Sequence, residues 1–200
     1  MAELLPTIDA AAVDFEHLFS VERAEIWLEI GFGGGEHLAA QALAHPDIGF
    51  IGCEPFINGV ATLLAAIEAD GMENIRILHD DARPYLDTLP DHSIDRVFLL
   101  FSDPWPKKKH HRRRFVNQDN LARLARVMKP GADLRFATDD MDFARWTLER
   151  LPRHRDFIWI VDGPGDWRER PGDAVVTRYE TKALSAGKSC VYLTFRRKAF

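Results

Sequence analysis

The chain has 200 residues, 46% hydrophobic and 28% charged, with 26 Lys and Arg against 31 Asp and Glu and a net charge of −5. That length suits one domain with a full core, and the balance of residue types excludes a fibrous, low-complexity or disordered chain. No apolar run reaches the roughly 18 residues that span a bilayer, and no basic segment followed by an apolar block marks a secretory signal.

Residues 1–20 are weakly patterned and read as a surface arm or short helix. A strand–helix rhythm then begins. Ile26–Ile30 reads as a buried strand, Gly31–Gly35 as a turn, and His37–Ala44 as a helix stopped before Pro46. Gly49–Cys53 is a second strand, and Phe56–Ala69 a helix closed by Gly71. Ile75–Leu78 is a third strand, and Pro84 opens a short helix through Leu89. Ile94–Phe101 is the longest apolar strand and the expected sheet centre. Asn117–Met128 is an amphipathic helix ended by Lys129-Pro130-Gly131. Leu134–Ala137 is a strand and Asp139–Leu151 a helix with an acid-rich start. Phe157–Val161 and Cys190–Arg196 are two late strands, with no helix expected in Asp162–Lys188. The alternation predicts one α/β domain: a mostly parallel sheet, helices on both faces, and an antiparallel last strand. Cys53 and Cys190 lie far apart in apolar runs and read as buried free thiols, so a cytoplasmic compartment is expected.

The turn after the first strand, LEIGFGGGEHL, spaces Gly31, Gly33 and Gly35 as G-x-G-x-G. Open α/β sheets bind nucleotides at such a turn, but the dinucleotide fingerprint needs a glycine where Glu36 stands. Glu29, beside the turn, is a poor neighbour for pyrophosphate and a good one for an ammonium group. S-adenosylmethionine carries that group and no phosphate. Glu54, 19 residues after Gly35, stands where an acid accepts from both ribose hydroxyls. Asp81-Ala82 follows the third strand at the place expected to meet an adenine amino group; Asp80 competes for that role, and Ala82 favours Asp81.

The fourth strand ends in FSDPWPKKKHHRRRF. Pro104 biases Asp103 away from helical geometry, so the loop can present a carboxylate to a planar base. Trp105 can stack on a base or pack beneath the loop. Lys107 is close enough to the acid to reach a substrate group, and Lys108, Lys109, His110, His111, Arg112, Arg113 and Arg114 are expected to face RNA. No Cys or carboxylate array accompanies the two histidines, so no metal is expected. Without the six basic side chains of Lys107–Arg114, 20 basic against 31 acidic groups remain, a net of −11. One basic patch on so acidic a body orients a polyanion as well as holding it.

The ordered set LEIGFGGGE, GCEPFINGV, DDA, FSDPWPKKKHHRRR, FATD and TRYE resembles the bacterial tRNA (guanine-N7-)-methyltransferase family over roughly residues 26–197. The resemblance implies a Rossmann-like class I methyltransferase fold with a seven-stranded sheet. It also implies methyl transfer from S-adenosylmethionine to N7 of a guanine in the tRNA variable loop. On the cofactor side it implies Glu29, Glu54, Asp81 and Asp103, with Asp103 also the active-site residue. On the substrate side it implies Lys107, Asp139 and the stretch Thr177-Arg178-Tyr179-Glu180. The pattern departs at Ser102, where the family usually has Pro, and at Ala132, a usual glycine. Asp139 also reads as a helix N-cap. A methyltransferase acting on an exocyclic amine of a base is the alternative reading. tRNA is the expected partner, without membrane, and a monomer is favoured.

Overall fold

Strand and helix alternate in space as the hydrophobic period alternates in sequence. The structure is a computed structural model that describes residues 18–19 and 21–199, so the expected arm over residues 1–20 lies almost wholly outside the described residues. In chain order the elements are β1 Ile26–Ile30, α1 Glu36–Ala44, β2 Gly49–Cys53, α2 Ile57–Asp70, β3 Ile75–Leu78, α3 Ala82–Thr88 and β4 Ile94–Leu100. A 3-10 helix Lys108–Arg113 follows, then α4 Gln118–Val127, β5 Met128–Thr138, α5 Met141–Arg150, β6 Phe157–Ile160, α6 Gly165–Arg168, α7 Arg178–Ser185 and β7 Val191–Arg197.

The seven strands form one sheet in the order β3-β2-β1-β4-β5-β7-β6. Pairings from β3 across to β5 are parallel, while β7 runs antiparallel to both β5 and β6. The predicted sheet class is therefore present. Alternation along each strand divides the core into two layers. Leu28, Ile30, Val97 and Leu99 face α3, α4 and α5 in one layer. Trp27, Phe50 and Phe98 face α1 and α2 in the other.

Four expectations are corrected. The segment Asp162–Lys188 holds two helices, α6 and α7, instead of none. The second is capped by the Thr177 hydroxyl, which accepts from the Glu180 amide at 3.2 Å, and is closed near Gly187 at φ 72°. Helix α3 starts two residues before Pro84, because the Asp81 side chain caps it by accepting from the Arg83 amide. Strand β5 begins at Met128, since the Lys129-Pro130-Gly131 turn becomes an irregularity between the Ile94 and Arg96 pairings. Strand β4 stops at Leu100, because Phe101 turns to φ 51°.

The long connection from β6 to β7 is tied down by charge. Arg135 Nη1 donates to both carboxylate oxygens of Asp173 at 2.7 Å, and Gln41 Nε2 donates to the Asp173 carbonyl at 2.6 Å. These bonds lay the connection across the layer that contains α1.

Candidate active site

The strand order reverses beside β1: β2 and β3 lie on one side of it and β4 on the other. Such a switch point opens a crevice at the carboxyl ends of the strands. Here it is an open cleft. Ile30 and Gly31 line it from β1, Cys53 and Pro55 from β2, Asp80 and Asp81 from β3, and Ser102, Asp103 and Trp105 from β4. A second, more apolar hollow lies beside the same β4 tip, between Phe98, Tyr192 and the β6–β7 connection.

The glycine turn is built for close approach. Gly31, Gly33 and Gly35 all have left-handed backbone, at φ 73°, 59° and 81°. A Cβ at Gly31 would meet nothing within 4 Å, so this backbone lies bare on the crevice. The turn is held from beneath. Glu54 Oε2 accepts from the Gly33 amide at 2.8 Å, and Oε1 accepts from the Phe56 amide at 2.9 Å. Glu54 is 5% exposed, and both of its carboxylate oxygens shape the turn. Glu29 is buried and accepts from His37 Nδ1 at 2.7 Å, a partner that sequence reasoning did not name.

Asp80 and Asp81 stand at the β3 tip as expected. Asp81 is paired with Arg83, whose hydrogen bonds hold its carboxyl below the usual carboxylate range. Cys53 is enclosed, and burial, reinforced by Asp81, pushes its thiol well up.

Asp103 is exposed at the cleft, and its carboxylate makes no hydrogen bond among the described residues. It lies between two left-handed residues that are not glycine, Phe101 at φ 51° and Trp105 at φ 44°. Such positions cost about 1–3 kcal/mol each and cluster at functional sites. The Trp105 ring is covered on one face by the Arg113 guanidinium at 4.8 Å and met edge-on by His110 at 5.8 Å. It is packed into the loop.

The basic run is a 3-10 helix, and its three-residue period sorts the side chains. His110 and Arg113 turn toward Trp105. Lys109 and Arg112 face solvent, as do Lys107 and Lys108. His111 lies edge-on to Trp146 at 5.3 Å. Arg114 departs from the expectation: it is 1% exposed and cannot face RNA. It donates instead to the Pro104 carbonyl at 2.7 Å and to Asp142 at 2.6 Å, which draws the Asp142 carboxyl pKa down.

The TRYE stretch divides its work. Thr177 caps α7, and Glu180, 3% exposed, accepts from the Tyr192 hydroxyl at 2.5 Å with Arg170 at 3.4 Å. Burial and Glu180 together raise the Tyr192 pKa. Tyr179 reaches the glycine turn, where a Cβ on Gly33 would come within 2.7 Å of its ring. Arg178 lies 3.7 Å from Glu36. Asp139, at the β5 tip, accepts from Lys188 Nζ at 2.5 Å, while Asp140 and not Asp139 caps α5. Lys188, Tyr192, Arg170 and His37 were missed. The T-x-x-E pattern could have revealed α7, but nothing local marks the long-range partners.

Among the described residues no group of His, Cys, Asp or Glu could hold a metal ion. No helix among them is long and apolar enough to cross a membrane.

A family model described as "Putative methyltransferase" matches residues 23–193. The tRNA (guanine-N(7)-)-methyltransferase of Ruegeria pomeroyi is 58% identical over 86% of this chain and 73% of its own length. That of Ruegeria sp. strain TM1040 is 49% identical over 98% of this chain and 80% of its own. Among solved structures, the 16S rRNA methyltransferase KamB superposes with a TM-score of 0.62 at 18% identity, covering 94% of this chain and 95% of its own. An rRNA methylase from Streptococcus thermophilus gives 0.60 at 12% identity, with 89% of each chain covered. At those identities the structural likeness speaks for the fold.

Proposed function

We propose that this chain, which belongs to the tRNA (guanine-N7-)-methyltransferase family, transfers a methyl group from S-adenosylmethionine to N7 of a guanine in the tRNA variable loop. The observation that carries the reading is one juxtaposition. The bare Gly31 backbone and the Asp103 carboxylate, which has no hydrogen bond among the described residues, share a cleft whose rim is a solvent-facing basic turn.

The cleft fits the cofactor. The acids that line it, Asp80, Asp81 and Asp103, favour a cationic molecule without phosphates over a dinucleotide. Gly31 and Gly33 would hold the amino-acid end, Glu54 the ribose, and Asp81-Ala82 the adenine. Glu29 acts from the buried side through His37.

When bound, S-adenosylmethionine supplies a methyl on a sulfonium: the N7–carbon bond forms as the sulfur–carbon bond breaks, and a neutral thioether leaves. Guanine N7 offers a lone pair and has no proton to lose, so the site needs no strong base. Positioning can supply about 7–11 kcal/mol of the barrier reduction. The guanine gains positive charge as it is methylated. Asp103 stabilises that charge and accepts from N1–H or the 2-amino group. Asp139 adds negative charge from the neighbouring strand tip, moderated by Lys188. Lys107 and Arg178 are exposed and can meet the substrate, while Thr177 and Glu180 hold α7 so that Tyr179 borders the turn. Lys108, Lys109, Arg112 and Arg113 would meet tRNA phosphates, with His110 and His111 behind them. The whole chain acts as one catalytic domain.

The test is incubation with labelled S-adenosylmethionine and unmodified tRNA transcript, followed by nucleoside analysis and mapping of the labelled position. Label in 7-methylguanosine within the variable loop is expected. Label on an exocyclic amine, or in another part of the tRNA, would overturn the reading.

A further inference from the structure

Asp103 hangs on a loop that few bonds restrain. The Phe101 amide donates to the Ala137 carbonyl at 2.7 Å before the loop begins. Within the loop, the Pro104 carbonyl accepts from Arg114 Nε at 2.7 Å, and the Pro106 carbonyl sits 3.4 Å from His111 Nε2. The short bond is thus on the carbonyl immediately after Asp103. Left-handed residues at Phe101 and Trp105 persist only where their surroundings over-determine them, so this bond matters to the loop's shape.

Arg114 is itself fixed. Its side chain has no exposed surface, its Nη2 donates to Asp142 at 2.6 Å, and its guanidinium lies 4.9 Å from the Trp146 ring and 5.3 Å from that of Phe143. A guanidinium is taken out of water only at a cost, and here its Nη1 finds no partner among the described residues. Simple packing would be served better by an apolar side chain. What an apolar side chain lacks is a rigid fork that joins a loop carbonyl to a carboxylate on α5.

We propose that Arg114 is a positioning residue for methyl transfer. It clamps the Pro104 carbonyl to Asp142 on α5 and so fixes the direction of the Asp103 carboxylate. The proposal rests on the reading that Asp103 faces the guanine. It separates Arg114 from Lys107, Lys108, Lys109 and Arg112, which face solvent.

The experiment measures kcat, KM and salt-dependent tRNA binding for Arg114→Lys and Asp142→Ala, alone and combined, and for Arg114→Lys in an Asp103→Ala background. Lys keeps the charge but not the fork. Asp142 is an exposed side chain, so its variant serves if Arg114→Lys fails to fold. Arg114→Lys and Asp142→Ala are each expected to lower kcat at least tenfold, with KM for S-adenosylmethionine and the salt slope of tRNA binding within twofold of the parent. The combined variant is expected to be no slower than Arg114→Lys, and Asp142→Asn, which keeps an acceptor, should recover most of the rate. In the Asp103→Ala background, Arg114→Lys should cost less than twofold. An unchanged kcat with a shallower salt slope would make Arg114 an RNA contact and overturn the proposal. So would a full tenfold loss added to an already slow Asp103→Ala enzyme, which would leave the role of Asp103 standing. A near-parent rate for Asp103→Ala alone would instead remove the reading on which the proposal rests.

Discussion

Glu54 grips Gly33: the carboxylate Oε2 accepts the turn amide at 2.8 Å from a position that is 5% exposed. The acid assigned to the ribose is thus also the support of the turn that carries the amino-acid end. Glu54→Gln replaces one carboxylate oxygen with an amide nitrogen, which then faces a backbone N–H. The variant should lose about 1–3 kcal/mol of stability, because one buried donor goes unpaired. Affinity for S-adenosylmethionine should fall about tenfold alongside. Denaturant midpoints and calorimetric titration check both. Parent values for the two would mean that the turn does not depend on this acid.

Gly59 lies against the same turn from the side of α2. A Cβ there would stand 2.0 Å from the Gly33 carbonyl oxygen. In an open helix, Gly→Ala gains about 1 kcal/mol from propensity alone. Here the sign should reverse, because neither backbone can move without displacing the turn. Gly59→Ala is expected to destabilise the protein by about 1–3 kcal/mol, the usual range for overpacking, and to weaken cofactor binding. A stabilised variant would show that α2 and the turn are not in firm contact.

The solvent-facing side of the 3-10 helix predicts a salt effect. Lys109→Ala/Arg112→Ala should weaken tRNA binding. It should also make log K less steep against log salt by about 0.7–0.9 for each phosphate that is no longer neutralised. Filter or fluorescence binding from low to moderate salt reads this directly. An unchanged slope would move the RNA surface away from this turn.

Cys53 predicts an alkaline weakness. Burial raises its thiol pKa above the ordinary value of 9.0, so the folded form keeps its proton after the unfolded form has lost it. The contribution is complete below about pH 9 and declines as pH rises further. Cys53→Ala should therefore lose less stability than the parent between about pH 8 and pH 10. Native Cys53 should also react with a thiol reagent at about pH 8 only as fast as the protein opens. Rapid stoichiometric labelling of the native protein would contradict the enclosed site.

Local pattern carried much of this architecture. The strands β1 to β4 follow apolar runs, and the glycine spacing and Pro104 announce the turn and the loop. The order of the strands places those features at one crevice, where Asp103 and Asp81 stand as expected. What local pattern did not carry is partnership over distance. Arg114 looks like its basic neighbours until Pro104 and Asp142 are seen around it. Helix α7 was legible in its Thr177-x-x-Glu180 cap, but Gly, Pro and mixed charge around it obscured the signal. Tyr192 and Lys188 meet Glu180 and Asp139 only because β7 inserts beside β5.

The central claim is that Asp103 acts on the guanine from the cleft. It is tested most directly by the single-turnover rate of methyl transfer to tRNA by Asp103→Ala at saturating S-adenosylmethionine. Loss of a preorganised charge at a reacting centre costs about 100- to 1,000-fold. A fall of that order is expected with an unchanged circular dichroism spectrum, because the Asp103 side chain makes no hydrogen bond that supports the fold among the described residues. A folded Asp103→Ala enzyme that methylates N7 at near the parent rate would contradict the claim.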